Sequence, residues 1–427
     1  MRSLFRKILA SQDYLRLFKN IIHLFFFQGI NYLLPLITIP YIVRIVGPEK
    51  FGILSFAEVI NRYFLMITDY GFNITGTQKI STQHQNPEAR AQIFSTVLAI
   101  KFILMIGCFS VFWFIVLVWQ NNANQKIFLL YFLMVPGNIL LSYWFYLGME
   151  EMQFLNYPNL IARIGFAVAV FMFLKNEEQF YLVPLFYGGF LILGGVVSLI
   201  FIKRRYHLYF KTPSIKTIAA ELREGWAIFI STFAINLYRR SNTFLLGLVA
   251  PDAAVGFYSA GEKLIIAIQA IFNPVIQAFY PFISRRKSES TKQGIKDIQF
   301  LIKSAVIGTA FISLIIIGFA SPITTIFLGK EFINTIAVVQ IGSFVITLGT
   351  LNYVIGIIFM TNFGYQRQFA KSVIFTGIIN VFFCLILSYY WQEIGAAIAF
   401  LLAELLLLLL FIIFLVRTKK QWSIEFE

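Results

Sequence analysis

The sequence predicts an all-α, polytopic membrane protein of twelve transmembrane helices arranged as two six-helix, pseudo-symmetric bundles. Three observations lead there. The composition is too apolar for a water-soluble chain, apolar segments of bilayer length alternate with short loops, and the two halves echo each other. Hydrophobic residues make up 59% and charged residues 13% of the 427. Soluble domains are nearer half apolar and a quarter charged. A chain this apolar cannot cover its own surface with polar groups, so most of it must face lipid.

A spanning helix needs about 20 mainly apolar residues. Segments of that kind lie near 21–43, 51–74, 92–119, 127–148, 157–174, 180–202, 226–249, 255–283, 299–320, 333–360, 369–390 and 394–416. The second is the least apolar, because it carries Glu58, Arg62 and Asp69. Pro35, Pro40, Pro136, Pro184 and Pro274 fall within spans, where neighbouring helices can re-satisfy the freed carbonyls. Ser321-Pro322 either ends the ninth span or opens a short re-entrant turn.

An even number of spans puts both termini on one side. That side then holds Arg2, Arg6, Lys7, the run Lys203-Arg204-Arg205, the run Arg285-Arg286-Lys287, Arg417, Lys419 and Lys420. The opposite side holds only Arg44, Lys50, Lys126, Lys175 and Lys330. The positive-inside rule makes the basic side cytoplasmic, and a miscounted span would scramble the alternation. The expected organisation is a cytoplasmic amphipathic N-terminus at 1–20, an N-terminal bundle at 21–203, a cytoplasmic linker at 204–225, a C-terminal bundle at 226–416 and a cytoplasmic tail at 417–427. The N-terminus is basic and only modestly apolar, which does not read as a cleavable signal peptide.

The formal net charge of +15 would suggest nucleic acid in a soluble chain. Orientation in the membrane accounts for it here, and no nucleic-acid partner is expected. Cys108 and Cys384 both lie within apolar segments, without metal-ligand or disulfide spacing. His23, His84 and His207 form no motif. The loops are too short for a catalytic domain, and there is no glycine loop of the ATPase type. These features predict a transporter without cofactor or metal, not an enzyme.

The repeat runs at an offset of 204 residues. Gly52, Ser55 and Glu58 match Gly256, Ser259 and Glu262, each at the start of a helix that follows a short outward loop. Six helices per half implies parallel repeats about an axis along the membrane normal, with substrate bound between halves that rock to alternate access. Twelve helices packed without functional symmetry is the plainer alternative.

Charges within the spans are the main functional signal. A charge at mid-span costs roughly 2.5–3.5 kcal/mol on the insertion scale. Arg62, Lys101, Arg163, Arg239, Arg240 and Lys263 all fall inside apolar segments, against four acids, Glu58, Asp69, Glu262 and Glu404. Such groups should line a wet cavity or pair with one another. Glu58, Arg62 and Asp69 share a helical face, and Glu58–Arg62 is an i,i+4 pair that also fits a purely structural role. Lys263 and Glu262 lie near a span end, within snorkelling reach of the interface. Arg163 is only a few residues into its helix. Arg239 and Arg240 sit near mid-span and point about 100° apart. The excess of cations predicts an anionic substrate, and arginine suits phosphate through bidentate hydrogen bonds.

Three stretches carry a resemblance. Gln28–Gly52 reads QGINYLLPLITIPYIVRIVGPEKFG, Phe56–Ser81 reads FAEVINRYFLMITDYGFNITGTQKIS, and Phe244–Leu264 reads FLLGLVAPDAAVGFYSAGEKL. Together they resemble the polysaccharide-unit flippases, the Wzx-like O-antigen and capsule exporters of the MOP (multidrug/oligosaccharidyl-lipid/polysaccharide) superfamily. The resemblance implies two six-helix bundles forming a V, as in MATE transporters, and a cationic central cavity. It also implies an undecaprenyl-pyrophosphate-linked oligosaccharide substrate moved between leaflets of a bacterial inner membrane. Membrane lipid would take the polyprenyl tail, a polysaccharide polymerase and chain-length regulator are expected partners, and coupling to an H+ or Na+ gradient is suggested for the family. Relatives often carry an acid in the seventh span where this chain has Tyr238-Arg239-Arg240-Ser241-Asn242, which puts acid-dependent coupling there in doubt. A multidrug or organic-ion exporter of the same superfamily is the alternative function. It would favour an acidic or aromatic cavity for cationic drugs.

Overall fold

The computed structural model describes the backbone of residues 12–118 and 124–424, and excludes the side chains of residues 1–33, 115–123, 152–153, 234–240, 277 and 419–427. The amphipathic N-terminus expected at 1–20 and the end of the tail expected at 417–427 lie outside the described residues. Among the described residues every regular element is a helix. Eight helices among the described residues are long and apolar enough to cross a bilayer, or nine if Asp252–Ala270 and Asn273–Glu289, bent by 42°, form one span. Two of the long helices are themselves broken. Gln12–Asp69 breaks at Gly47, at φ 72. Gln366–Ile424 breaks at Trp391 and Gln392, the latter at φ 46. Both breaks fall where the sequence places outward loops.

Gly47 precedes Pro48, which disfavours helical backbone at the residue before it, and glycine takes a positive φ without steric penalty. Three other prolines set helix ends by a second effect. A proline ring clashes with the carbonyl of residue i−4 and offers no N–H to it. Pro136, Pro274 and Pro322 lie four residues beyond Phe132, Ala270 and Gly318, and a helix stops at each of those residues. The expected span at 127–148 is therefore three short helices, Gln125–Phe132, Met134–Leu141 and Tyr143–Gly148. The ninth span ends ahead of Ser321-Pro322, and the eight-residue helix Ala320–Phe327 follows it. After helix Leu182–Tyr206, the chain is non-helical only to Ser214. Residues 215–225 already belong to helix Ile215–Val249.

Contacts divide the chain into two units. One comprises Met1–Val43, Leu248–Ala250 and Phe257–Glu427, and the other Arg44–Gly247 and Pro251–Gly256. In the first, Leu264, Ile265, Ile316, Ala320, Val339 and Ile346 form a buried apolar cluster. Its outer surface shows Ile307, Phe311, Leu314, Phe375 and Phe382, each more than half exposed. Large apolar side chains exposed in such numbers fit a lipid-facing wall.

In the second unit, Trp144, Phe145 and Tyr146 are fully buried. Gly76 leaves room for the Trp144 ring, where a Cβ would lie 2.8 Å away. Tyr146 hydrogen bonds to Ser198 Oγ at 3.1 Å, and Ser198 donates to Leu141 O at 2.8 Å. At the basic ends of its helices, Lys79 bridges Glu221 and Glu224 at 2.9 and 2.7 Å. Arg205 and Tyr206 both hold Glu151, and the hydrogen bonds from Arg205 bring that carboxyl below its ordinary value.

Within this unit the two repeat segments approach each other backbone to backbone. A Cβ on Gly52 would lie 1.8 Å from Asp252 O, and one on Gly256 would lie 1.9 Å from Pro48 O. The same offset of 204 relates Pro48 to Asp252 and Gly52 to Gly256. The contact therefore reads the same from either side, as two-fold packing requires. Glycine is needed because backbone faces backbone, with no side chain able to yield. Gly52→Ala and Gly256→Ala should each lower the thermal unfolding midpoint in detergent, since overpacking a close contact costs at least about 1–3 kcal/mol. Gly107→Ala, with open space around it, should leave the midpoint unchanged.

Candidate functional site

The second unit gathers most of the described intramembrane charges. Asp69 is the last residue of its helix, and Tyr70 (φ 48) and Gly71 (φ 80) turn the chain into helix Phe72–Thr82. The turn sets Asn73 beside Asp69, whose carboxylate accepts from Asn73 Nδ2 at 2.9 Å. Lys101, mid-way along helix Pro87–Val118, donates to the same carboxylate at 2.8 Å. The Lys101 side chain is 6% exposed and that of Asp69 31%. The lysine is thus sealed into the protein while the acid faces open space.

That space is a cavity of about 210 Å³, lined by Asp69, Asn73, Lys101, Asn138, Tyr143 and Thr232 among others. Asn138 donates its amide N–H to Met134 O at 3.2 Å. Thr232 donates to Ile228 O at 2.8 Å. The lining therefore mixes one ion pair with amide, hydroxyl and aromatic groups.

One turn and more before Asp69, Arg62 donates from Nε to Glu58 at 2.9 Å. Both side chains are largely covered, and Tyr131 and Tyr187 lie within electrostatic reach of the guanidinium. Arg163, half-buried, donates to Asn159 Oδ1 at 3.1 Å and lies within electrostatic reach of Tyr143. In the other unit, Lys263 is half-buried and its neighbour Glu262 accepts from Tyr258 at 3.2 Å. Glu404 accepts from Asn352 Nδ2 at 2.6 Å, and Asn352 is itself buried. Arg239 and Arg240 are helical in backbone, within Ile215–Val249. Their side chains lie outside the described residues.

The structure brings together Asp69 with Lys101 and Glu58 with Arg62. The three residues expected to share a face are thus divided between two pairs, because Asp69 closes its helix and turns to the neighbouring one. Arg62 and Lys101, expected to present positive charge to a ligand, each have a carboxylate against them. Sequence reasoning missed Asn73, Asn138 and Tyr143. An amide inside an apolar helix is the signal that could have flagged Asn138. Among the described residues no cluster of His, Cys, Asp and Glu could hold a metal ion.

Removing one partner of a covered ion pair strands the other charge, at a cost of about 3–5 kcal/mol. Asp69→Asn, which leaves the sealed ammonium without its carboxylate, should therefore lower the unfolding midpoint markedly, and adding Lys101→Met should recover much of the loss. A double variant no more stable than Asp69→Asn would show that lysine packing, not pairing, carries the effect.

The model of the polysaccharide biosynthesis protein family matches residues 17–287. The chain is 31% identical over 411 residues to a putative O-antigen transporter of Escherichia coli (strain K12), covering 95% of this chain and 98% of that protein. It is 24% identical over 391 residues to a putative O-antigen transporter of Shigella dysenteriae, covering 92% and 98%. Among solved structures, the lipid II flippase MurJ in an inward closed conformation superposes with a TM-score of 0.73 at 14% identity, covering 91% of this chain and 85% of that one. An inward-facing multidrug resistance MATE family transporter of the MOP superfamily gives 0.70 at 14% identity, covering 91% and 95%. At such identity these two likenesses speak for the fold alone. Matched over more than half its length, and akin to a named relative along nearly all of it, the chain belongs to the polysaccharide biosynthesis protein family, and it shares the helical fold of those two solved structures.

Proposed function

We propose that the protein is a flippase that carries an undecaprenyl-pyrophosphate-linked oligosaccharide from the cytoplasmic to the outer leaflet of a bacterial inner membrane. The observation that supports this most is the set of charged groups retained inside bilayer-length helices of a polysaccharide biosynthesis protein. Charge in hydrocarbon is costly and is kept where a polar cargo must pass. The names of the two O-antigen transporter relatives point to the same cargo.

In this reading the pyrophosphate is held foremost by Arg239 and Arg240, with Arg163 and Lys263 as further candidate cations. Arg62 and Lys101 act through their carboxylate partners instead. The polyprenyl tail stays in lipid while the polar head crosses by alternating access. Export is energised by an H+ or Na+ gradient, for which Glu58, Asp69, Glu262 and Glu404 are the carboxylates within the spans. Both termini face the cytoplasm, where the basic loops lie.

The test is complementation of a strain lacking its own O-antigen flippase, scored by surface polysaccharide. The wild-type chain should restore the polymer. Replacing both Arg239 and Arg240 by Ala should cut it at least tenfold at equal membrane expression, since losing a charge-assisted hydrogen bond is worth about 1.5–3 kcal/mol. Full export with both arginines removed would overturn the proposed anion site. Resistance to cationic dyes without any surface polysaccharide would favour a multidrug exporter.

A further inference from the structure

We propose that an anionic phospholipid of the surrounding bilayer binds along the outer face of helix Thr291–Gly318. Its phosphate is held by Lys296 and Lys303, and an acyl chain lies over Ile307, Phe311 and Leu314. The inference concerns the membrane around the protein and does not depend on what the protein carries.

The helical period places the site. Lys292, Lys296, Lys303, Ile307, Phe311 and Leu314 fall within a sector about 100° wide. All six side chains are exposed, and the three apolar ones are 72%, 65% and 68% exposed. Ile298, Leu301, Thr309, Ser313 and Ile316, on the other side of the helix, are buried. One stripe therefore runs without a break from ammonium groups into a lipid-facing wall.

The stripe keeps its charge. The one acid of this helix is Asp297, which is buried and lies 3.4 Å from Arg286. Gln293 also donates to it at 3.2 Å. Among the described residues no ion pair involves Lys292, Lys296 or Lys303. This separates them from Lys79, Lys101 and Arg205, whose charge is already matched by carboxylates.

Distances along the axis fit one leaflet. At 1.5 Å per residue, Lys303 stands about 16 Å from Leu314. The hydrocarbon core is about 30 Å thick, so this step is close to half of it, the depth of one acyl layer. Lys303 then falls at the boundary between acyl chains and headgroups. Helical side chains lean toward the N-terminus, so the Lys303 stem carries its ammonium out of the hydrocarbon toward Lys296, about 10 Å further along. Two ammonium groups thus bracket the headgroup layer directly above the apolar wall. A zwitterionic headgroup would bring its own cation against them. An anionic headgroup brings net negative charge alone, which is the basis for selection.

The experiment places photoreactive benzoylphenylalanine at Phe311 in the full-length protein. The protein is reconstituted in vesicles of equal parts phosphatidylglycerol and phosphatidylcholine and irradiated, and the captured lipid is identified by mass. Phosphatidylglycerol should be captured at least fivefold over phosphatidylcholine, because each basic side chain near an anionic surface is worth about fivefold in binding. Lys296→Gln combined with Lys303→Gln should bring the ratio near one, while Lys296→Arg with Lys303→Arg should keep the preference. Equal capture of both lipids without the lysine substitutions, capture of neither, or a preference that survives the double glutamine change would each overturn the site. A second set of vesicles also contains a small fraction of undecaprenyl pyrophosphate. Continued capture of phosphatidylglycerol there supports the assignment. Capture of the polyprenyl lipid in its place would make the stripe a surface for that lipid and overturn the phospholipid site.

Discussion

The protein depends on how it keeps charge inside hydrocarbon. An ammonium sealed to 6% exposure in an apolar helix is tenable only because a carboxylate stands 2.8 Å from it. That carboxylate is available because the chain breaks its helix at Tyr70-Gly71, directly after Asp69. Asp69 and Asn73 stand together across this turn, on the wall of one cavity. Glu58 with Arg62 answers the same constraint locally, and Glu404 with Asn352 answers it with an amide in place of a cation.

The breaks have their own chemistry. Pro136, Pro274 and Pro322 each end a helix at the residue whose carbonyl the ring would strike. Glycine acts in the opposite sense, by letting elements approach. At Gly52 and Gly256 the two repeat segments meet backbone to backbone, at a distance no other residue permits. The few identities that survive between the halves thus include the pair that touches.

This explains what could be read from the sequence. Composition and segment length gave the helical membrane class, because hydrophobic thickness is a one-dimensional property. The Glu58–Arg62 pair was legible because four residues in a helix fix the geometry. The Asp69–Lys101 pair was not, since 32 residues and a turn separate its members. The helical-face rule for Asp69 was sound only up to the helix end, and the end lies at that residue. The proline positions were visible, yet membrane helices tolerate proline often enough that their presence alone did not decide between kink and stop. Asn73, Asn138 and Tyr143 are ordinary residues individually and become a site only through their shared cavity.

On the flippase reading proposed above, the pairing also bears on how the cargo is released. A polar head must bind well enough to enter the membrane and weakly enough to leave on the far side. A bare cluster of buried guanidinium and ammonium groups would hold a pyrophosphate in a deep well, because Coulomb attraction grows as the dielectric falls. Cations already matched by Glu58 and Asp69 would flatten that well, since any phosphate would compete with a carboxylate in place. Recognition can then shift toward neutral hydrogen bonds, each worth only about 0.5–1.5 kcal/mol net. Several such bonds discriminate between cargoes without trapping any of them, which is the balance that repeated passage across a bilayer demands.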